Sequence, residues 1–374
     1  MSKERAFWLA WSRISGMGAI SQKRLYQHFG SLEAAWEADV NELAQVEGIG
    51  EMTATLLVSD RSHLNPTQLL RQHEQDNPKF WTPADPDYPR LLLEIPDPPP
   101  LLYYRGEVQR SENIGETPCI AIVGTRDPSD YGRRWTQKIS AALAREGFTV
   151  VSGLAAGVDT EAHLTCLRTG GRTIAVLGTG VDLVYPWSNR ALAREIAERG
   201  LMLSEYPAGT QPDRVHFPRR NRIIAGLCRA VLVLEAPHKS GALITARLAN
   251  DYCRDVYALP GSLDSPRSKG CLELLNHGAH VILGEGHLME LLGAMPHIQL
   301  VHSTPKQLGL LPPDAIDLDP ELEQVLQAVT LEPVALDRIV QQVDLATGAV
   351  LSALSQLEIL GLVAALPGTR YQRC

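Results

Sequence analysis

The stretch that decides the fold is Ile120-Ala121-Ile122-Val123-Gly124-Thr125-Arg126-Asp127-Pro128-Ser129-Asp130-Tyr131-Gly132. A short apolar run stops at a glycine turn, and a helical run over 133–145 follows. The unit then repeats. Strand-like runs fall at 120–123, 148–151, 173–177, 201–203, 230–234, 255–258 and 279–282, with helical runs such as 190–199 and 243–252 between most of them. Short apolar strands alternating with helices predict a parallel sheet covered on both faces. Residues 119–295 are therefore expected to form a Rossmann-like α/β domain.

Outward from this core, residues 1–65 read as short helices joined by glycine turns. Ile14-Ser15-Gly16-Met17-Gly18 and Val46-Glu47-Gly48-Ile49-Gly50 both have the form of a helix-hairpin-helix turn. Such turns can present backbone N–H groups to a phosphate, or can serve packing alone; Glu47 and Glu51 flank the second and would repel an anion. Residues 66–118 are read as a connector leading into the central domain, proline-rich from Pro78 to Pro100, with Leu101 to Tyr104 as an edge strand. A linker is expected at 296–318. Residues 319–374 carry helical runs at 321–329, 334–343 and 347–357 and a terminal hairpin around Pro367-Gly368, which together predict a winged helix. Units of that kind bind DNA or proteins. The third helical run, however, holds no Lys or Arg, and duplex affinity depends on neutralising phosphates.

Composition narrows the function classes. Six widely spaced cysteines without a C-x-x-C pair read as reduced, buried residues of a cytoplasmic protein, and the eleven histidines show no metal spacing. No metal and no cofactor are expected. No apolar stretch approaches the roughly 18 residues of a membrane span, and the N-terminal apolar run is too short for a signal peptide. The chain is acidic, with a formal net charge of -8. A basic cluster in such a chain is therefore a local feature.

That cluster is Phe217-Pro218-Arg219-Arg220-Asn221-Arg222, immediately before the apolar run Ile223, Ile224, Ala225. Guanidinium forks suit phosphate oxygens, although pairing with nearby carboxylates would explain them as well. The first strand–helix turn adds Gly124, Thr125 and Arg126; it lacks the G-x-G-x-x-G dinucleotide fingerprint, and its arginine favours a phosphate or sugar–phosphate ligand. Ser240 and Gly241 open a helix whose N-terminal dipole favours an anion, with Lys239 beside them. Lys269 follows the strand at 255–258. All these groups lie just after a strand or at a helix start, so they are expected to converge on one rim of the sheet. Asp159 and His163 invite an acid–base reading, but a helix cap and a buried polar contact account for them better.

The ordered motifs A-I-V-G-T-R (121–126), S-G-L-A-A-G-V-D-T-E-A-H (152–163), F-P-R-R-N-R-I-I-A-G-L (217–227), S-G-A-L-I-T-A (240–246), Y-A-L-P-G-S (257–262) and S-K-G-C-L-E-L-L (268–275) closely resemble the DprA/Smf family, DNA-processing proteins of natural transformation. The resemblance covers nearly all of residues 80–295. The flanks resemble a SAM-like (helix-hairpin-helix) domain and a winged helix in pattern. The resemblance implies a protein without established catalytic activity that binds single-stranded DNA, loads RecA onto it, and forms a homodimer through the Rossmann-like domain. It also implies Arg126, Arg219 and Arg220 as DNA contacts. Where many relatives have a basic residue in the second turn, this chain has Ala156. The alternative is a nucleotide- or sugar-phosphate-processing Rossmann-like enzyme, but such enzymes carry P-G-G-x-G-T-x-x-E where this chain has S-G-A-L-I-T-A-R-L-A. A third reading makes the winged helix of a regulatory protein the main actor. The leading reading places the DNA site on Gly124, Thr125, Arg126, Phe217, Arg219, Arg220, Asn221, Arg222, Lys239, Ser240, Gly241 and Lys269.

Overall fold

The computed structural model describes residues 3–293, 320–330, 334–343, 345–359, 362–366 and 370–373. The chain divides into two compact units, Met1–Ile298 and Gln299–Cys374. The expected linker at 296–318 and the hairpin tip at Pro367-Gly368 lie outside the described residues.

The first unit is built on a nine-stranded sheet. Its strands are β1 (Phe80–Trp81), β2 (Leu102–Gly106), β3 (Cys119–Val123), β4 (Thr149–Ser152), β5 (Thr173–Leu177), β6 (Leu201–Ser204), β7 (Ala230–Val233), β8 (Asp255–Ala258) and β9 (His280–Val281), in the order β1-β2-β6-β5-β4-β3-β7-β8-β9. Strands β3 to β9 run parallel, and β1 and β2 add an antiparallel margin. The chain works outward from β3 to β6, then returns through helix His216–Leu227 to β7 on the other side of β3. The carboxyl ends of β3 and β7 are therefore a topological switch point, where open α/β sheets form their ligand crevice.

The two-residue period of β3 explains why both faces are covered. Ala121 and Val123 pack with Ile223, Ile224 and Ala225 of helix His216–Leu227, while Ile120 and Ile122 pack with Ile139, Leu143 and Val158 on the opposite face. Each fully buried isoleucine contributes roughly 1.5–3 kcal/mol. Loops at the switch point are tied to one another. Glu235, after β7, accepts hydrogen bonds from the Ser129 amide and hydroxyl at 2.8 and 2.6 Å, and Ser129 caps helix Asp130–Arg145. Gly157, at φ +84°, precedes helix Val158–Arg168, and a Cβ there would lie 2.4 Å from the Thr125 carbonyl oxygen. Only glycine permits that approach between the loops after β3 and β4.

Three expectations are corrected. The residue 101–104 segment is not an edge strand, because β2 pairs with β6 on one side and with β1 on the other. The proline-rich stretch is not merely extended, since Trp81, Tyr88, Leu92 and Ile95 are buried in the sheet's core. The large apolar side chains between its prolines supply the packing. Cys253, read as buried, is exposed; Cys119, Cys166, Cys228 and Cys271 are buried.

Before the sheet come helices Glu4–Trp11, Ala19–Phe29, Leu32–Glu37, Val40–Leu43, Glu51–Ser62 and Pro66–Asp76. Both expected hairpin turns form. Gly18 and Gly50 precede helix starts, while Ile14, Met17, Val46 and Ile49 anchor the turns in a core with Trp8, Trp11 and Leu25.

The second unit holds helices Pro320–Ala328, Leu336–Val343 and Thr347–Ile359 and an antiparallel sheet of β10 (Val334–Ala335), β11 (Val363–Leu366) and β12 (Arg370–Arg373), ordered β10-β12-β11. This is a winged helix with its own core of Val325, Ile339, Val350, Leu354 and Leu357. Val334 and Ala335, read as the start of a helix, pair with β12 instead. Among the described residues no helix is long and apolar enough to cross a membrane.

Candidate nucleic-acid interface

A cleft of about 650 Å³ opens at the switch point, within the range typical of ligand pockets. One wall is the turn after β3, with Gly124, Thr125 and Arg126; another is the start of helix Gly241–Asp251, with Ser240 and Gly241; the third is the start of helix His216–Leu227, with Phe217, Arg220 and Asn221. Phe217 lies over Gly178, where a Cβ would approach its ring to 2.9 Å. The Tyr185 ring centroid is 5.5 Å from that of Phe217, and the Arg126 guanidinium is 5.9 Å from it on the cation–π side. Gly124, in turn, owes its absence of side chain to packing: a Cβ would lie 2.6 Å from Val158.

The basic residues meet quite different fates. Arg126 is exposed and makes no ion pair among the described residues. Arg220 is buried. Its Nη1 donates to the carbonyls of Gly153, at 2.7 Å, and Val176, and its Nε donates to Asn221 Oδ1 at 3.2 Å. Burial lowers its pKa to about 10, against the raising influence of Asp159. Arg220 thus lines the cleft while its Nη1 and Nε are engaged within the protein, and the Nη1 bonds hold the loop after β4. Arg222 does not line this cleft; it bridges Asp97 at 3.0 Å and Glu205 at 2.5 Å. Asn221 Nδ2 donates to the Gly241 carbonyl at 3.4 Å, joining two walls. Arg219 is exposed but faces a neighbouring cleft. Lys239 and Lys269 are exposed near helix starts and do not line the switch-point cleft. The expected convergence therefore holds for the turn after β3 and the two helix starts, not for every cation.

Asp159 and His163 do not act on each other. The Asp159 carboxylate accepts from the amides of Gly153 and Ala155 at 3.1 and 3.3 Å, and burial raises its pKa. It ties down the loop instead of capping the helix start, because Gly157 occupies the cap position. His163 Nδ1 lies 2.6 Å from Thr173 Oγ1, whose hydroxyl donates to the Val150 carbonyl, so the ring donates from Nδ1. Burial, with the Arg220 charge, lowers its pKa to about 3. Ala156, exposed in the same loop, leaves this part of the rim uncharged.

Arg214 and Tyr185 are among the lining residues that the sequence reading missed. Arg214 is exposed on the cleft and makes no ion pair among the described residues. It sits just upstream of the basic motif and adds an exposed charge to the cleft. Tyr185 follows no strand directly and reaches the cleft through the long excursion after β5, which no local pattern reveals.

The sequence profile described as DNA recombination-mediator protein A matches residues 79–293, and that of the DprA winged helix domain matches residues 311–369. The chain is 53% identical to Protein Smf of Synechocystis sp., with 100% of this chain and 99% of the relative covered. It is 36% identical to Protein Smf of Escherichia coli over 76% of this chain and 75% of that one. Among solved structures, DNA processing protein A of Streptococcus pneumoniae superposes with a TM-score of 0.65 at 34% identity, covering 78% of this chain and 98% of that chain. DNA processing protein A of Helicobacter pylori, described for its single-stranded DNA binding mode, superposes with a TM-score of 0.52 at 34% identity, covering 57% and 96% respectively.

Proposed function

This chain belongs to the DprA/Smf family, and from that premise we propose that it binds single-stranded DNA in the switch-point cleft and loads RecA onto it during natural transformation. One observation carries the binding reading: Arg126 and Arg214, both exposed and without ion pairs among the described residues, line the same cleft as the rings of Phe217 and Tyr185. Unpaired guanidinium groups take phosphates, and aromatic faces take bases that a single strand leaves unstacked. The helix start at Ser240-Gly241 adds a favourable dipole for the same anion. The single-strand binding mode named for the Helicobacter pylori relative supports this assignment. The recombination-mediator description of the matched family supports the hand-off to RecA. A homodimer through the Rossmann-like domain and a cytoplasmic location belong to the same proposal.

We propose no chemical step. Asp159 is the only carboxylate among the described residues lining the cleft, and its oxygen is engaged by two backbone amides. His163 is fully buried and directed at Thr173. The turn at Ser240-Gly241 lacks the glutamate that the nucleotide-processing alternative needs.

The test is a gel-shift titration with single-stranded and duplex DNA of one sequence at two salt concentrations. Single strands should bind more tightly. Arg126→Ala should weaken that binding about tenfold, and flatten the log–log salt slope by about 0.7, the contribution of one phosphate contact. Equal or tighter duplex binding, or an Arg126→Ala variant with unchanged affinity and slope, sinks the proposal.

A further inference from the structure

A second cleft, of about 920 Å³, lies on the other side of Pro218 and Ile244, two residues that line both cavities. One wall belongs to the sheet domain and the other to the first hairpin turn of the helical region, residues 12–22. The walls are fastened together rather than merely adjacent. Lys23 Nζ donates to the carbonyls of Leu93 and Ile95 at 3.1 and 2.6 Å, and Arg5 donates to the Phe80 carbonyl at 2.7 Å. A cleft held this way is preorganised, which lowers the cost of binding.

Its charge is also biased. Asp97 and Glu205 both line it, but Arg222 bridges them. Arg219 is exposed and makes no hydrogen bond or ion pair among the described residues, although its charge acts on nearby Glu205. Arg13 is exposed and donates to His73 Nδ1 at 3.1 Å; that ring nitrogen also accepts from Asn77, so the imidazole is neutral and leaves the Arg13 charge uncompensated. Formally the three arginines outweigh the two carboxylates by one. Between the cations the surface is apolar, with Ile20 48% and Ile244 39% exposed. Cations alternating with apolar surface suit a sugar–phosphate backbone with bases laid against the wall, without base-edge readout. The second hairpin turn has no such character, because Arg24 is bound to Glu47 there at 2.9 Å.

We propose that this second cleft is the continuation of the single-strand path. The strand leaves the switch-point cleft over the saddle of Pro218 and Ile244, and its next phosphates meet Arg219 and Arg13. The helical region is then part of the DNA site. This inference rests on the reading that the first cleft holds single-stranded DNA.

The experiment uses the full chain and oligothymidylates of about 4 and about 16 nucleotides, the span of site sizes in known single-strand-binding folds. Arg219→Ala should weaken the long oligonucleotide about tenfold, the worth of a charge-assisted contact, and leave the short one within twofold. Ile20→Glu, which sets a negative charge on an exposed position of the hairpin, should do the same. Both positions are exposed, so melting temperatures should stay at the value of the unsubstituted protein. Arg126→Ala should weaken both lengths. Binding that depends on Arg126 but is untouched by Arg219→Ala and Ile20→Glu at either length overturns this inference alone. So does an Arg219→Ala loss that is equal for both lengths, which would assign Arg219 to the first cleft. Failure of either length to bind the unsubstituted protein overturns the reading of the first cleft and this one with it.

Discussion

Helix His216–Leu227 and helix Thr347–Ile359 are the two elements with the strongest claim to nucleic acid, one by charge and the other by its place in a winged helix. They differ in the one property that governs phosphate affinity. The first begins at a cleft with exposed cations on either side of it, and the second has no Lys or Arg; its exposed positions include Thr347, Ala349, Leu351, Ser352 and Ser355. Yet the basic helix is also less basic than it reads. Arg220 and Arg222 are engaged by carbonyls and carboxylates of the fold, and of the motif arginines 219, 220 and 222 only Arg219 is exposed. The comparison teaches that cations must be counted after burial and pairing. A charge already satisfied by the protein contributes architecture, not affinity.

The largest expected effect sharpens the division between architectural and ligand-facing arginines. Arg220→Ala leaves the Gly153 and Val176 carbonyls without their charged donor, and should cost about 2–3 kcal/mol of stability, read as a lowered urea midpoint. Arg220→Lys should recover little, because one ammonium does not reproduce the planar fork. Arg126→Ala, by contrast, should lose DNA affinity with no change in the midpoint. Equal stability of the Arg220→Ala protein would break the distinction.

A smaller effect follows from pH. His163 has its pKa lowered to about 3 by burial and the Arg220 charge, and His73 has its pKa lowered to about 4 by burial and nearby arginines. An unfolded histidine titrates near 6.5. Between those values and pH 6.5 the unfolded histidines bind more protons than the folded ones, so their contribution to stability is full above pH 6.5 and is lost as pH is lowered toward 4. Each histidine contributes at most about 1.4 kcal/mol per pH unit in that window. His163→Asn keeps a donor toward Thr173 and should make the fall shallower in urea titrations at pH 7, 6 and 5. An unchanged slope would mean that the ring is already charged in the folded protein.

The smallest expected effect is on the winged helix itself. Removing residues 299–374 should change single-strand affinity by less than about twofold, since the removed unit's third helix brings no cation and each unit has its own core. A loss beyond about tenfold, roughly 1.4 kcal/mol, in a truncated protein that melts as before would reverse the comparison between the two helices.

Much of the scaffold was legible because its signals are local. The apolar runs at β3, β5 and β8, the glycine turns after them, and the helical hairpins around Gly16 and Gly48 all advertise themselves within a few residues. The pairing of β2 was less legible: the segment reads as an edge because nothing near it announces the two-residue strand β1 that covers it. Likewise the prolines of the presumed connector drew attention away from Trp81, Tyr88 and Leu92, which bury themselves against the sheet.

The sequence by itself determined the α/β alternation, the winged-helix pattern and the presence of a basic segment at the start of a helix. Which arginines are free was decided only by tertiary structure. Arg220 meets carbonyls 67 and 44 residues away, and Arg222 meets a carboxylate 17 residues away and another on the proline-rich stretch. Arg214, Tyr185 and the second cleft depend on the same long-range closure. Strand and helix periodicity is written into neighbouring residues, whereas burial and ion pairing depend on partners that only the folded chain brings within a few ångströms.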